Sequence, residues 1–139
     1  MGWRSSGRIG IGIPLLVVDA SAIVALLFNE PEASRIAALI DGQRLATSSI
    51  FSFELANVCL MKSRRQPERR DAIRAAYALH PSLAIEEYPV DHAETLALAE
   101  ATRLTHYDAS YLWLARSLNA PLITLDKALL ALTPPPAAR

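Results

Sequence analysis

The sequence holds one cysteine, Cys59. A lone thiol excludes an intrachain disulfide framework and fits a reducing compartment, so the expected location is cytoplasmic. It also removes the thiolate clusters of zinc sites, and three scattered histidines, His80, His92 and His106, have no zinc-ligand spacing. Charge of one sign is missing too. Fourteen Lys and Arg balance fourteen Asp and Glu, so the whole chain exerts no net pull on nucleic acid. There is no G-x-S-x-G elbow for a serine hydrolase and no Walker A loop. GRIGIG at residues 7–12 has the wrong glycine spacing for a dinucleotide site, and no strand precedes it. A membrane-spanning run is lacking as well. The longest candidate, Leu15 to Phe28, is short and carries Asp19 at its centre, which costs about 2.5–3.5 kcal/mol on insertion.

What is present is a globular balance in 139 residues, with 52% apolar and 20% charged. That suits one domain with a real core. The opening MGWRSSGRIGIGIPLLVVDASA imitates a secretory signal, with early arginines and an A-x-A ending at Ala22. Gly10, Gly12 and Pro14 interrupt it, however, and apolar character continues past Ala22 to Phe28. The M-G-x-x-x-S start matches a myristoylation signal over six residues only. Residues 1–13 read instead as a flexible leader, from an early start codon. The domain spans 14–133, and 134–139 is a disordered tail, since PPPAAR does not continue a helix.

Strand and helix patterns alternate along this domain. Leu15–Val18 is a β-branched apolar run that suits a buried parallel strand. Residues 20–28 read as a helix. Pro31 suits the first turn of the next helix, to Asp41, with Gly42 as its C-terminal stop. Residues 44–47 form a second strand, and Ser48 or Ser49 can cap the helix carrying Phe51, Leu55, Val58 and Cys59. A basic helix runs from Pro67 towards Pro81. A third strand lies within 83–90, helices follow Asp91 and Thr105, a fourth strand covers 122–125, and a short helix follows Asp126. Such alternation predicts an α/β fold with a mostly parallel sheet.

Most of the acids lie in polar surroundings or near helix ends. Four do not: Asp19 in VVDASA, Glu54 in FSFELANV, Asp108 in HYDASYLW and Asp126 in ITLDKAL. Taken singly, Asp19 and Asp126 could cap helices, and Asp108 could be the acid at the third helical position of a capping box with Thr105. Glu54 lies too deep in its helix for that role. Taken together, all four fall at the carboxyl edge of a parallel sheet, where active sites form. Two carboxylates about 4 Å apart repel by about 4 kcal/mol at an effective dielectric near 20. Among these four, only Asp126 has a cation beside it in sequence, Lys127. Protonation or bound cations must compensate. Oxygen donors alone favour Mg²⁺ or Mn²⁺ and metal-assisted phosphodiester hydrolysis. Ser21 and Thr124, two residues from Asp19 and Asp126, could orient carboxylates or waters, or merely satisfy backbone groups. Asn57, one turn beyond Glu54, could orient it. Cys59 reads as core, and Tyr111 and Trp113 read as core packing rather than base-stacking surfaces.

The blocks VVDASA, FELANV, HYDASYLWLA and LITLD resemble, in order, the four acidic blocks of PIN domains, and most nearly those of VapC-like ribonuclease toxins of bacterial toxin–antitoxin pairs. The likeness runs from about Leu15 to Leu132. It implies a three-layer, Rossmann-like α/β fold with a short, mainly parallel central sheet flanked by helices. It also implies an endoribonuclease whose Mg²⁺ or Mn²⁺ is held by Asp19, Glu54, Asp108 and Asp126. A homodimer inhibited by a cognate antitoxin, acting on RNA, follows from the same likeness. The leader departs from the family pattern and puts the true start in doubt, not the site.

One segment is strongly basic. Lys62, Arg64, Arg65, Arg69, Arg70 and Arg74 stand against Glu68 and Asp71, giving a net charge of +4. Such a patch could hold RNA phosphates at the rim of an acidic site, contact an antitoxin, or be a solvated helix face. Two other readings compete with the nuclease. A non-catalytic PIN-like binding module has no use for four repelling acids. A haloacid-dehalogenase-type phosphatase needs a second aspartate where Ser21 stands.

Overall fold

The computed structural model describes residues 14–133; the expected leader and tail lie outside them. Four short strands, β1 (Leu15–Val18), β2 (Arg44–Ser48), β3 (Glu86–Tyr88) and β4 (Leu122–Ile123), form one sheet in the order β3-β2-β1-β4. Every pairing is parallel: Val17 faces Ala46 on one side and Leu122 on the other, and Thr47 faces Glu87. The helices are α1 (Ala20–Leu27), α2 (Ala33–Ile40), α3 (Phe51–Arg65), α4 (Arg70–Tyr77), α5 (His92–Thr102), α6 (His106–Leu118) and α7 (Lys127–Leu130). Short 3-10 turns cover Pro67–Arg69 and His80–Leu83.

The central strand β1 explains its own sequence. Val17 and Val18 are fully buried, as is Ala46 beside them on β2. Strands enclosed in this way have no solvent face, so they show no alternation of polar residues. Helix α6 packs on β1, β2 and β4 and pairs with α5, while α1 packs against α2 and α3. Ile23, Leu55, Leu112, Leu122 and Leu129 meet in one apolar cluster. Among the described residues, no helix is long and apolar enough to cross a membrane.

Several boundaries differ from the sequence reading. Pro31 lies in the turn before α2, not in its first turn. Gly42, just beyond α2, takes φ +71°, the left-handed conformation that glycine adopts without strain. Neither Ser48 nor Ser49 caps α3, which starts at Phe51 after an uncapped Ile50. The Ser48 hydroxyl is instead buried at 2.9 Å from that of Ser110, joining β2 to α6. The basic helix is broken at Arg69–Arg70 and ends at Tyr77. Strand β4 stops at Ile123 because Thr124 and Leu125 turn to side-chain partners on α1: the Leu125 N–H donates to Ser21 Oγ at 2.9 Å.

Candidate active site

All four conspicuous acids lie where the topology puts the carboxyl edge of the sheet. Asp19 is the residue between β1 and α1, with extended backbone, and caps α1 by accepting the Ala22 N–H at 3.1 Å. Asp126 caps α7 by accepting the Leu129 N–H at 3.1 Å. Asp108 stands in the first turn of α6, where its N–H donates to the capping Thr105 hydroxyl at 3.0 Å. The capping geometry and the convergence of acids therefore coexist. A helix start supplies N–H groups and a positive dipole end, both of which suit a carboxylate.

Glu54 is placed differently. Because α3 begins at Phe51, it falls at the end of the first turn rather than in the second. Its carboxylate is held from across the site, where the buried Tyr111 hydroxyl donates to Oε1 at 2.6 Å. Asn57, the residue expected to orient Glu54, lines the same cavity; the orienting donor is Tyr111.

A cavity of about 520 Å³ joins these groups. Asp19, Glu54, Asp108 and Asp126 line it, and so do Glu30 and Glu32 from the turn after α1. Ser21 and Asn57 add polar atoms, and no Lys or Arg is among its lining residues. Glu30 and Glu32 gave no sequence signal, because acids on either side of Pro31 in a polar turn suit ordinary solvation. Tyr111 gave a faint one, standing three residues after Asp108 and so on the same helix face.

The electrostatics follow from burial and mutual repulsion. Asp19 is 3% exposed. Its pKa is pushed up to about 6, chiefly by burial and slightly by the Asp126 charge, against hydrogen bonds from Thr124, Ser21 and Ala22 that lower it. Asp108 is also raised, first by burial and then by the charges of Asp126 and Glu54. The Tyr111 hydroxyl is driven far above its usual range by burial and by Glu54, so it stays a donor. These couplings link the four acids in series: Asp19 to Asp126, Asp126 to Asp108 and Asp108 to Glu54.

Hydroxyls tie the site together. Ser21 Oγ donates to Asp19 Oδ1 at 2.7 Å. Thr124 donates a short bond to Asp19 Oδ2 and accepts the Asp126 N–H at 3.0 Å. One threonine thus links the two acids from separate strand ends. Ser21 accepts the Leu125 N–H as well, so both hydroxyls serve a carboxylate and a backbone group together.

The donor set fits a hard divalent cation: six carboxylates surround one cavity with no Lys or Arg in its lining, and Lys62 reaches only Glu30, at its rim. Among the described residues, no three His, Cys, Asp or Glu side chains are grouped closely enough to hold an ion directly. Coordination therefore requires side-chain rotation, or water between acid and ion.

The basic segment is divided. Lys62, Arg65 and Arg69 line a cavity of about 430 Å³ that shares Glu30 with the acidic one. Lys62 pairs with Glu30 at 3.4 Å and lies 4.9 Å from the centre of the Phe28 ring. Arg64 and Arg70, with Arg74, line a different cavity beside Cys59, Leu60 and Tyr77. Cys59 is buried and its thiol pKa is raised, mainly by burial, which suits core packing rather than nucleophilic attack. Trp113 packs on the core and donates to Glu94 at 2.9 Å.

A family model described as PIN domain matches residues 16–133. The chain belongs to the PIN-domain family. Among curated relatives, Ribonuclease VapC3 of Pyrobaculum aerophilum is 32% identical over 119 residues, covering 82% of this chain and 91% of its own. Ribonuclease VapC9 of Mycobacterium tuberculosis is 34% identical over 114 residues, covering 81% and 86%. The crystal structure of PAE2754 from Pyrobaculum aerophilum superposes with a TM-score of 0.71 at 26% identity, covering 91% of this chain and 84% of that one. This PIN domain is of the VapC-like kind, and the parallel sheet flanked by helices is the Rossmann-like fold that the resemblance implied.

Proposed function

We propose that this PIN domain is a Mg²⁺- or Mn²⁺-dependent endoribonuclease, the toxin of a toxin–antitoxin pair, acting in the cytoplasm. One observation carries the reading. A cavity ringed by six carboxylates with no lining Lys or Arg adjoins a second cavity lined by Lys62, Arg65 and Arg69. The names of the relatives, VapC ribonucleases, supply the substrate class.

Asp19, Glu54 and Asp108 would hold the cation, with Asp126 bound directly or through water. The bound ion supplies an ionised water at neutral pH and offsets charge on the phosphate. The chain's own residues do the positioning. Ser21 and Thr124 keep Asp19 in one orientation. Asn57, on the wall shared with Glu54, offers an amide to the substrate or to that carboxylate. Lys62, Arg65 and Arg69 hold backbone phosphates beside the acids, which would otherwise repel them; Arg64 and Arg70 line another cavity and make no such contact. A homodimer and inhibition by a cognate antitoxin follow from the family likeness.

The test is cleavage of structured RNAs by protein freed of antitoxin, with Mn²⁺, Mg²⁺ or EDTA, beside Asp108→Asn. Cutting should need the ion and should fall at least 100-fold in the variant, as for loss of a group at a charged reaction centre. Equal cutting in EDTA, or by the variant, would remove the metal mechanism. RNA binding without any cutting by the wild type would favour a non-catalytic module.

A further inference from the structure

The carboxylates of Asp19 and Asp126 are fixed by capping their own helices, and Asp108 is tied at the start of α6 through its backbone N–H to Thr105. Glu54 has no such anchor. It projects from α3 on the longest acidic side chain, with three rotatable bonds, and could sweep a wide arc. The Tyr111 hydroxyl stops that sweep, donating to Glu54 Oε1 at 2.6 Å. The ring of Tyr111 is 1% exposed and packed in the core cluster, so the donor itself has little freedom. The charge of Asp19 also acts on this hydroxyl. One phenol oxygen therefore stands between the acid at the end of β1 and the acid on α3.

We propose that Tyr111 is a positioning residue: its buried hydroxyl holds Oε1 of Glu54 and so fixes the carboxylate that would serve a bound cation. This rests on the metal-dependent reading above. The ordinary alternative is a buried tyrosine that satisfies its hydroxyl on the nearest acceptor, with no bearing on the ion. The two differ in what removal of one oxygen does. Tyr111→Phe keeps the ring and its packing, and deletes only the donor.

Mn²⁺ binding, measured by electron paramagnetic resonance of the free ion without RNA, separates them. Partners that orient metal ligands typically change affinity 10–100-fold when lost. Tyr111→Phe should therefore weaken Mn²⁺ binding by about 10-fold or more while its far-UV circular dichroism matches the wild type. In a Glu54→Gln background, where the positioned ligand is gone, adding Tyr111→Phe should change Mn²⁺ affinity less than 2-fold. Wild-type affinity in folded Tyr111→Phe, or a full additional loss in the Glu54→Gln background, would overturn the proposal. If Tyr111→Phe does not fold, the wild-type hydroxyl proton decides. Its nuclear magnetic resonance signal should move on Mg²⁺ saturation, and an unmoved signal refutes the link. Absence of any Mn²⁺ binding by the wild type would sink the metal reading itself, whereas a failure confined to Tyr111→Phe would leave that reading standing.

Discussion

Replacing Asp19 by asparagine should stabilise the metal-free protein while abolishing its function. Asp19 is 3% exposed, and its pKa rises from 3.8 to about 6 on folding. Below pH 3.8 the carboxyl is protonated in both states and burial carries no charge penalty. Between pH 3.8 and about 6 the folded state binds more protons than the unfolded one, so this group's stability contribution falls as pH rises. Above pH 6 the full penalty applies, about 3 kcal/mol for a carboxyl whose pKa rises from 3.8 to about 6. Asparagine never incurs it. That figure is already net of the bonds from Thr124, Ser21 and the Ala22 N–H, which favour the charged form. The Thr124 hydroxyl must turn from donating to accepting if the new amide faces it. A net gain of about 1–2 kcal/mol at pH 7 remains, or roughly 4–8 °C in Tm for a domain of this size. The assay is chemical denaturation of both proteins in EDTA from pH 4 to pH 8. The mutant's advantage should be absent near pH 4, grow between pH 4 and 6, and level off above. A mutant less stable than the wild type at pH 7, or a difference that does not change with pH, would refute the reasoning.

Three further outcomes follow from the same geometry. In an Asp108→Asn background, Arg65→Gln and Arg69→Gln should each lower the slope of log affinity for single-stranded RNA against log salt by about 0.7, with Arg64→Gln and Arg70→Gln leaving it unchanged. Thr124→Val should cost about 1.5–3 kcal/mol at pH 8, because it removes the donor to a buried carboxylate and the acceptor of the Asp126 N–H, and less near pH 4.5, where Asp19 is protonated; urea titrations at the two pH values check it. Mg²⁺ at 100 times its Kd should stabilise the wild type by about 2.7 kcal/mol in thermal melts, and Asp19→Asn should lose most of that gain.

Several features of this protein were legible without coordinates. An aspartate inside LLVVDASAIVALLF is explained by local rules: β-branched residues build a buried strand, and the acid caps the helix that follows it. The bounds of β1 and α6 follow from runs of apolar residues and from Thr105, since both signals are local in sequence. Four acids in apolar settings, at the ends of strands and starts of helices, already implied one edge of one sheet. Other features depended on contacts between distant segments. Strand β4 stops after two residues because Thr124 and Leu125 are drawn to Asp19 and Ser21, more than a hundred positions away. Ser48 serves Ser110 rather than a helix end for the same kind of reason. The basic run divides between two cavities because Lys62 and Arg65 share one face of α3 and Arg64 lies on another, and Arg69 and Arg70 part in the same way after the Pro67–Arg69 turn. Sequence alone singled out the four acids proposed to hold the cation, since charge, burial preference and helix starts are properties of neighbouring residues. Only the tertiary structure decided what holds them: Tyr111 on Glu54 and Thr124 on Asp19 are pairings across 57 and 105 residues, and no local pattern encodes which distant hydroxyl will be buried beside a given carboxylate.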